Sequence, residues 1–170
     1  FELKKLEKIK WKTGDYVVGI ITNTGSHEMK IELTNGRMRS FMKEDLVVGA
    51  LGERYATLEA TGSWREVEED GIMHLLTGGG LMGKCTSKSV RLPSLIEIEY
   101  LGHIIRDEKV CEMDDFVVQV PYKKFNLPVI LLVGTSMSAG KTTVARIIVN
   151  QLKRAGLQIV AGKLTGASRY

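Results

Sequence analysis

Between residues 13 and 120 the apolar positions come in short runs, mostly at every second residue, and are broken by glycines. Alternation of this kind puts successive side chains on opposite faces of a strand, whereas a helix needs apolar positions three and four apart. Residues 16–22, 54–59, 72–76, 95–100 and 116–120 therefore read as strands. Many short strands between turns predict a mainly β domain, built as a small barrel or a sandwich. The sharpest local signal is Asn35-Gly36, set between two alternating runs, which predicts a two-residue type I′ turn. Folding there pairs Thr34 with Arg37, Leu33 with Met38, Glu32 with Arg39, Ile31 with Ser40 and Met29 with Met42. Met29, Ile31, Leu33, Met38 and Met42 then share one face, and Glu32 lies opposite Arg39 on the other.

The pattern changes after residue 120. Residues 121–128 hold two prolines and Lys123-Lys124 and read as a linker. Residues 127–133, Leu-Pro-Val-Ile-Leu-Leu-Val, form an apolar run that predicts a buried strand. Val144, Ile148 and Leu152 then recur at helical spacing, with Ala145 and Val149 beside them. Gly156 is placed to end that helix, with Lys153 and Arg154 in its last turn. Residues 157–161 read as a further strand. The expected organisation is a β-rich domain over 1–122, followed over 123–170 by the start of an α/β domain.

Between the apolar run and the helix stands the strongest chemical signal. Gly134-Thr135-Ser136-Met137-Ser138-Ala139-Gly140-Lys141-Thr142-Thr143 matches G-x-x-x-x-G-K-[ST], the phosphate-binding P-loop. Glycines at both ends let the chain wrap a phosphate without Cβ clashes. Loop amides and the positive end of the helix face the anion. Lys141 is expected to reach the β- and γ-phosphates and the Thr142 hydroxyl to ligate Mg²⁺, with Thr143 near the α-phosphate. The nucleotide is read as ATP, with GTP as the alternative.

This P-loop, followed by a helix and a strand ending in Lys163-Leu164-Thr165-Gly166, resembles the start of dethiobiotin synthetase. It is similar also to the small P-loop proteins of molybdopterin-guanine dinucleotide and cobyrinate amide synthesis. The resemblance covers about residues 128–167. It implies a Mg²⁺-dependent enzyme that transfers the γ-phosphoryl group of ATP to a small-molecule acceptor, or activates the acceptor with it. It also implies that Lys163 and Thr165 face the γ-phosphate or the acceptor. Where that group carries Lys-Pro this chain has Lys163-Leu164. The extra lysine of the partition-ATPase branch would fall at Ser136, which places the chain outside that branch.

A P-loop domain needs about five parallel strands and commonly ~150 residues. Only 43 residues follow Leu127, and no apolar strand ending in Asp follows the P-loop, so the second domain reads as truncated. Two other classes therefore stand beside the enzyme. One is a nucleotide-gated switch whose β domain binds a protein partner. The other is a fragment that binds only an anion at the loop. An open sheet edge in the second domain also predicts a homo-oligomer.

Composition adds bounds. The net charge is +4, much of it from Lys4, Lys5, Lys8, Lys10 and Lys12, which read as a solvated face. No nucleic-acid module or aromatic interleaving accompanies them, so nucleic acid is not expected as a partner. Cys85 and Cys111 fit no metal spacing and, without a secretory signal, predict a reducing cytoplasm. No apolar stretch reaches ~18 residues, so no membrane-spanning helix is expected. A second match, from Gly78 to Lys84, has Cys85 where Ser or Thr should stand and reads as a glycine-rich turn or bulge. His27, His74 and His103 show no metal spacing, and His103, after Gly102 near a strand end, is the best site candidate of the three. Asp114-Asp115 reads as an acidic turn and Trp64 as a packing residue.

Overall fold

The computed structural model describes residues 1–25, 30–56, 59–124, 126–134 and 139–163. The chain divides into two compact units, one holding Phe1–Val118 and the other beginning at Gln119. The protein is mostly β. In chain order the strands are β1 (Glu2–Lys4), β2 (Tyr16–Asn23), β3 (Lys30–Glu32), β4 (Met38–Ser40), β5 (Leu46–Leu51) and β6 (Glu53–Tyr55). They continue as β7 (Ala60–Ser63), β8 (Ile72–Leu75), β9 (Leu81–Lys88), β10 (Glu97–Arg106) and β11 (Lys109–Val110). The α-helix of the described residues is α1 (Lys141–Arg154).

Nine strands join in one mixed sheet. Its hydrogen-bond ladder closes on itself. β2 pairs with β10, β10 with β8, β8 with β9, β9 with β5, and β5 with β2. Among the described residues only the β5–β9 pair is parallel. Closure makes these five strands a small barrel and removes their free edges. Alternation supplies the core: Val17 and Ile21 from β2, Met73 and Leu75 from β8, and Ile98 and Tyr100 from β10 all point inward. Trp11 and Trp64 add to the same cluster. Trp64 donates its indole N–H to the Thr13 hydroxyl at 2.8 Å, which satisfies the polar end of a buried ring.

β10 departs from simple alternation. Its register against β2 shifts between Tyr100 and Gly102, so that Tyr100 faces Gly19 while Gly102 faces Val18 and His103 faces Val17. This bulge changes the phase of the strand. Ile98 and Tyr100 are buried before it, and His103 and Ile105 after it. Without the bulge Tyr100 and His103, three residues apart, would lie on opposite faces.

Three sequence expectations for this unit need correction. Residues 54–59, expected as one strand, hold β6 only as far as Tyr55, and β7 begins at Ala60 after a turn in which Glu59 N–H donates to Ala56 O. The β3–β4 hairpin pairs Lys30 with Ser40, Ile31 with Arg39 and Glu32 with Met38, one residue away from the expected register. Gly36 donates its N–H to Leu33 O and Leu33 donates to Arg37 O, which makes a three-residue loop. Gly36 has φ 77°, while Asn35 stays in the ordinary negative region. The turn is thus a type I turn closed by a glycine bulge rather than type I′. The change puts Met38 opposite Glu32, and Ile31 and Phe41 pack on the core. Of residues 116–120, expected as a strand, Phe116 ends a 3₁₀ turn over Met113–Phe116 and 117–120 have no strand pairing among the described residues. The acidic pair within that turn caps it, Asp115 Oδ2 accepting from Glu112 N–H at 2.9 Å.

In the second unit α1 forms where the spacing predicts it. Gly156, at φ 81°, donates to Lys153 O and Leu157 donates to Leu152 O, a Schellman end. The flanking runs 127–133 and 157–161, expected as strands, have no strand pairing among the described residues. Leu127, Val129, Ile130, Leu131 and Val133 are 62–80% exposed. A strand exists through its neighbours, and an apolar run alone supplies none.

Candidate functional site

The residues of the G-x-x-x-x-G-K-[ST] pattern divide at the edge of what is described. Thr135, Ser136, Met137 and Ser138 lie outside the described residues, as do Thr165 and His27. Gly134 and Ala139–Thr143 lie within them. Gly140 stands at the helix entrance at φ 80°, a conformation that costs a residue with a Cβ about 1–2 kcal/mol. Among the described residues no side chain caps that end, and its first turn carries no acidic residue. The first bond within the helix runs from Val144 N–H to Gly140 O at 2.9 Å. The amides of Thr142 and Thr143 therefore precede the helix ladder, and both side chains are exposed.

Lys141 turns back toward Gly134. A Cβ on Gly134 would lie 3.0 Å from both Cγ and Cδ of Lys141 and 3.3 Å from its Nζ. The aliphatic stem thus rests on Gly134, where a Cβ would press on it. It also joins the two ends of the motif across the intervening residues. Lys163 lies exposed, outside any helix or strand. Basic Lys153 and Arg154 occupy the last turn of α1, where they complement the negative end of the helix dipole.

The second glycine match has a different role. Leu81–Lys88 is a barrel strand, so Gly83 and Lys84 sit in a ladder and precede no helix. Gly83 is pressed against backbone: a Cβ there would lie 2.7 Å from Ser63 C and Trp64 N. The residue allows close approach of chains.

A second polar constellation lies inside the barrel unit, and sequence reading did not assemble it. Asp15 and His103 are 1% and 0% exposed, and Tyr100 is buried beside them. Tyr100 OH and His103 Nδ1 are 2.6 Å apart. His103 Nε2 lies 3.3 Å from Asp15 Oδ2, off the line of a hydrogen bond. Burial pushes the His103 imidazole below its ordinary range, and the Asp15 carboxylate opposes that shift. Nearer the surface His74 accepts from Cys85 N–H through Nδ1, and burial, helped by Lys84, holds it below its usual range too. Among the described residues no group of three or more His, Cys, Asp or Glu is placed to hold a metal ion. Likewise, no helix there is long and apolar enough to cross a membrane.

Set against protein-family models, curated proteins and solved structures, the chain matches none of them. Any functional reading therefore rests on the residues themselves.

Proposed function

We propose that the second unit binds the phosphates of a purine nucleotide, ATP before GTP, and that the intact site serves Mg²⁺-dependent phosphoryl transfer to, or activation of, a small-molecule acceptor. The observation that carries this reading is the Lys141 stem folded over Gly134 at the start of α1. A lysine used to bind phosphate has to lie over the loop that cradles it. A lysine used only for solubility would point away. The uncapped entrance at Gly140 fits the same reading, since an anion would occupy the place of a capping side chain.

In this reading the loop amides from Gly134 to Thr143 hold the phosphates, and Lys141 neutralises their charge. Thr142, exposed in the first turn, is the residue suited to hold Mg²⁺. A bound Mg²⁺ would neutralise charge on the β- and γ-phosphates. Lys163 would face the γ-phosphate or the acceptor. The α/β character of the unit, with residues 127–133 and 157–161 as parallel strands, belongs to this proposal as well. The likeness to dethiobiotin synthetase supports the acceptor class.

The test is a calorimetric titration with Mg-ATP, Mg-GTP and inorganic phosphate. Saturable Mg-ATP binding that Lys141→Ala removes is the expected result. Equal binding of wild type and Lys141→Ala would overturn the reading. Binding of inorganic phosphate without nucleotide binding would replace it with that of an anion site.

A further inference from the structure

Residues 5–12 form a strap that leads from β1 to β2 across the barrel wall, and its polar contacts converge on buried groups. Leu6 N–H donates to Tyr100 OH at 3.1 Å. The Trp11 indole N–H donates to Leu6 O at 3.1 Å, and the ring packs on Tyr100 and His103 with centroids 4.5 and 5.5 Å away. Lys12 N–H donates to Asp15 Oδ2 at 2.7 Å. Lys8 Nζ donates to the carbonyls of Arg65 and Val67.

The hydrogens in this cluster can be counted. Tyr100 oxygen accepts from Leu6, so its own hydrogen points at His103 Nδ1. Nδ1 is then an unprotonated acceptor, and the ring hydrogen sits on Nε2, toward Asp15. A second proton can enter only at Nδ1, and it reverses the bond with Tyr100. The phenol oxygen would have to accept from both Leu6 and His103, and its own hydrogen would be left in a buried wall without an acceptor.

We propose that Tyr100, His103 and Asp15 form a proton-operated latch: a proton taken up at His103 Nδ1 reverses its bond with Tyr100, leaves the phenol hydrogen without an acceptor and so releases the strap. The proposal concerns the first unit alone and does not depend on nucleotide binding.

The groups around the ring set the direction. Asp15 and Tyr100 touch it. Lys4 on β1 and Val17 on β2 are its cross-strand partners, and the Lys4 side chain is exposed. Lys12 and Glu112 pair with each other at the surface, 3.6 Å apart, and Cys111 is buried nearby after β11. Asp15 alone favours the added proton. It makes no hydrogen bond to Nε2, and one of its own oxygens, Oδ1, is buried without a partner among the described residues. Loss of hydration outweighs this attraction, so His103 gains its proton more readily with the strap open. Below the ordinary imidazole value of about 6.5 the open fraction then rises up to tenfold for each pH unit, until the closed form is protonated too.

Amide exchange across pH 8 to 5 in the full chain tests this. Protection of Leu6 N–H and of the Trp11 indole N–H should fall below about pH 6.5, by up to tenfold per unit, while amides of β2 and β8 stay protected. His103→Gln should remove the pH dependence. Tyr100→Phe supplies a second readout, and in it the protection of Leu6 N–H at pH 8 should be as low as in wild type at pH 5. Constant protection of Leu6 down to pH 5 would overturn the proposal. So would its loss only together with β2 and β8, a transition surviving in His103→Gln, or wild-type protection of Leu6 in Tyr100→Phe at pH 8.

Discussion

Replacing Gly83 with alanine tests whether the glycine-rich segment before it is a barrel junction or a phosphate loop. Three stretches of backbone meet there. Trp64 N–H donates to Gly52 O at 3.0 Å, and Gly52 N–H donates to Met82 O at 3.1 Å. A Cβ on Gly83 would stand 2.7 Å from Ser63 C and Trp64 N and 3.1 Å from Gly52 O. Carbon contacts settle near 3.5 Å, so β9 would have to retreat by roughly 0.7 Å. The obstacles are backbone atoms and cannot rotate aside. Overpacking of this kind costs about 1–3 kcal/mol, and loss of the strained Gly52–Met82 bond adds about 1 kcal/mol. The stiffer unfolded chain of an alanine variant returns about 0.5–1 kcal/mol. The net is about 1–3.5 kcal/mol, centred a little above 2, or a fall of roughly 10 °C in Tm for a unit of this size. Gly36→Ala is the control: φ is 77°, nothing lies within 4 Å, and only the left-handed backbone cost of about 1 kcal/mol applies. Thermal melts followed by circular dichroism would compare the two variants. A Gly83→Ala protein melting within about 2 °C of wild type, and less perturbed than Gly36→Ala, would refute the close-approach argument. A phosphate loop would instead lose anion affinity with little change in melting.

Other outcomes follow from the same geometry. Ile98→Ala removes a fully buried side chain between β2 and β8 and should lower stability by about 2–5 kcal/mol, read as a lower urea midpoint at unchanged slope. His74 is held below its ordinary value, so the unfolded chain takes up its proton first. Stability should be complete above about pH 6.5 and decline as pH falls through that value toward the lower folded one, and His74→Gln should flatten that part of the profile. Gly134→Ala should displace the Lys141 stem and weaken Mg-ATP binding at least tenfold while the helix signal of α1 stays unchanged.

Local signals were legible where a single element satisfies them. The apolar spacing of α1 and its Gly156 terminus follow from one turn of helix and its own hydrogen bonds. Strands β2 and β8 follow from alternation. The Asn35-Gly36 turn shows where such reading stops. Two-residue and three-residue loops accept the same dipeptide, and the choice shifts every pair by one residue. A two-residue turn with both central residues at positive φ does occur, at Asp107-Glu108 between β10 and β11, where no glycine announces it. The runs at 127–133 and 157–161 carry strand composition without strand pairing among the described residues, because composition proposes a strand and a neighbour makes one.

By itself the sequence determined the β character of residues 13–120, the helix after Gly140 and the G-x-x-x-x-G-K-[ST] pattern before it, since each is written in residues close together along the chain. Tertiary structure alone decided the closure of the barrel, whose pairs join strands as distant as β2 and β10. It alone brought Asp15, Tyr100 and His103 together. A bulge at one residue of β10 turns His103 inward, and the strap then seals the cluster from water. Spacing along a chain reports which face a side chain takes only while the register holds. Where the register shifts, the packing of neighbouring strands chooses the face.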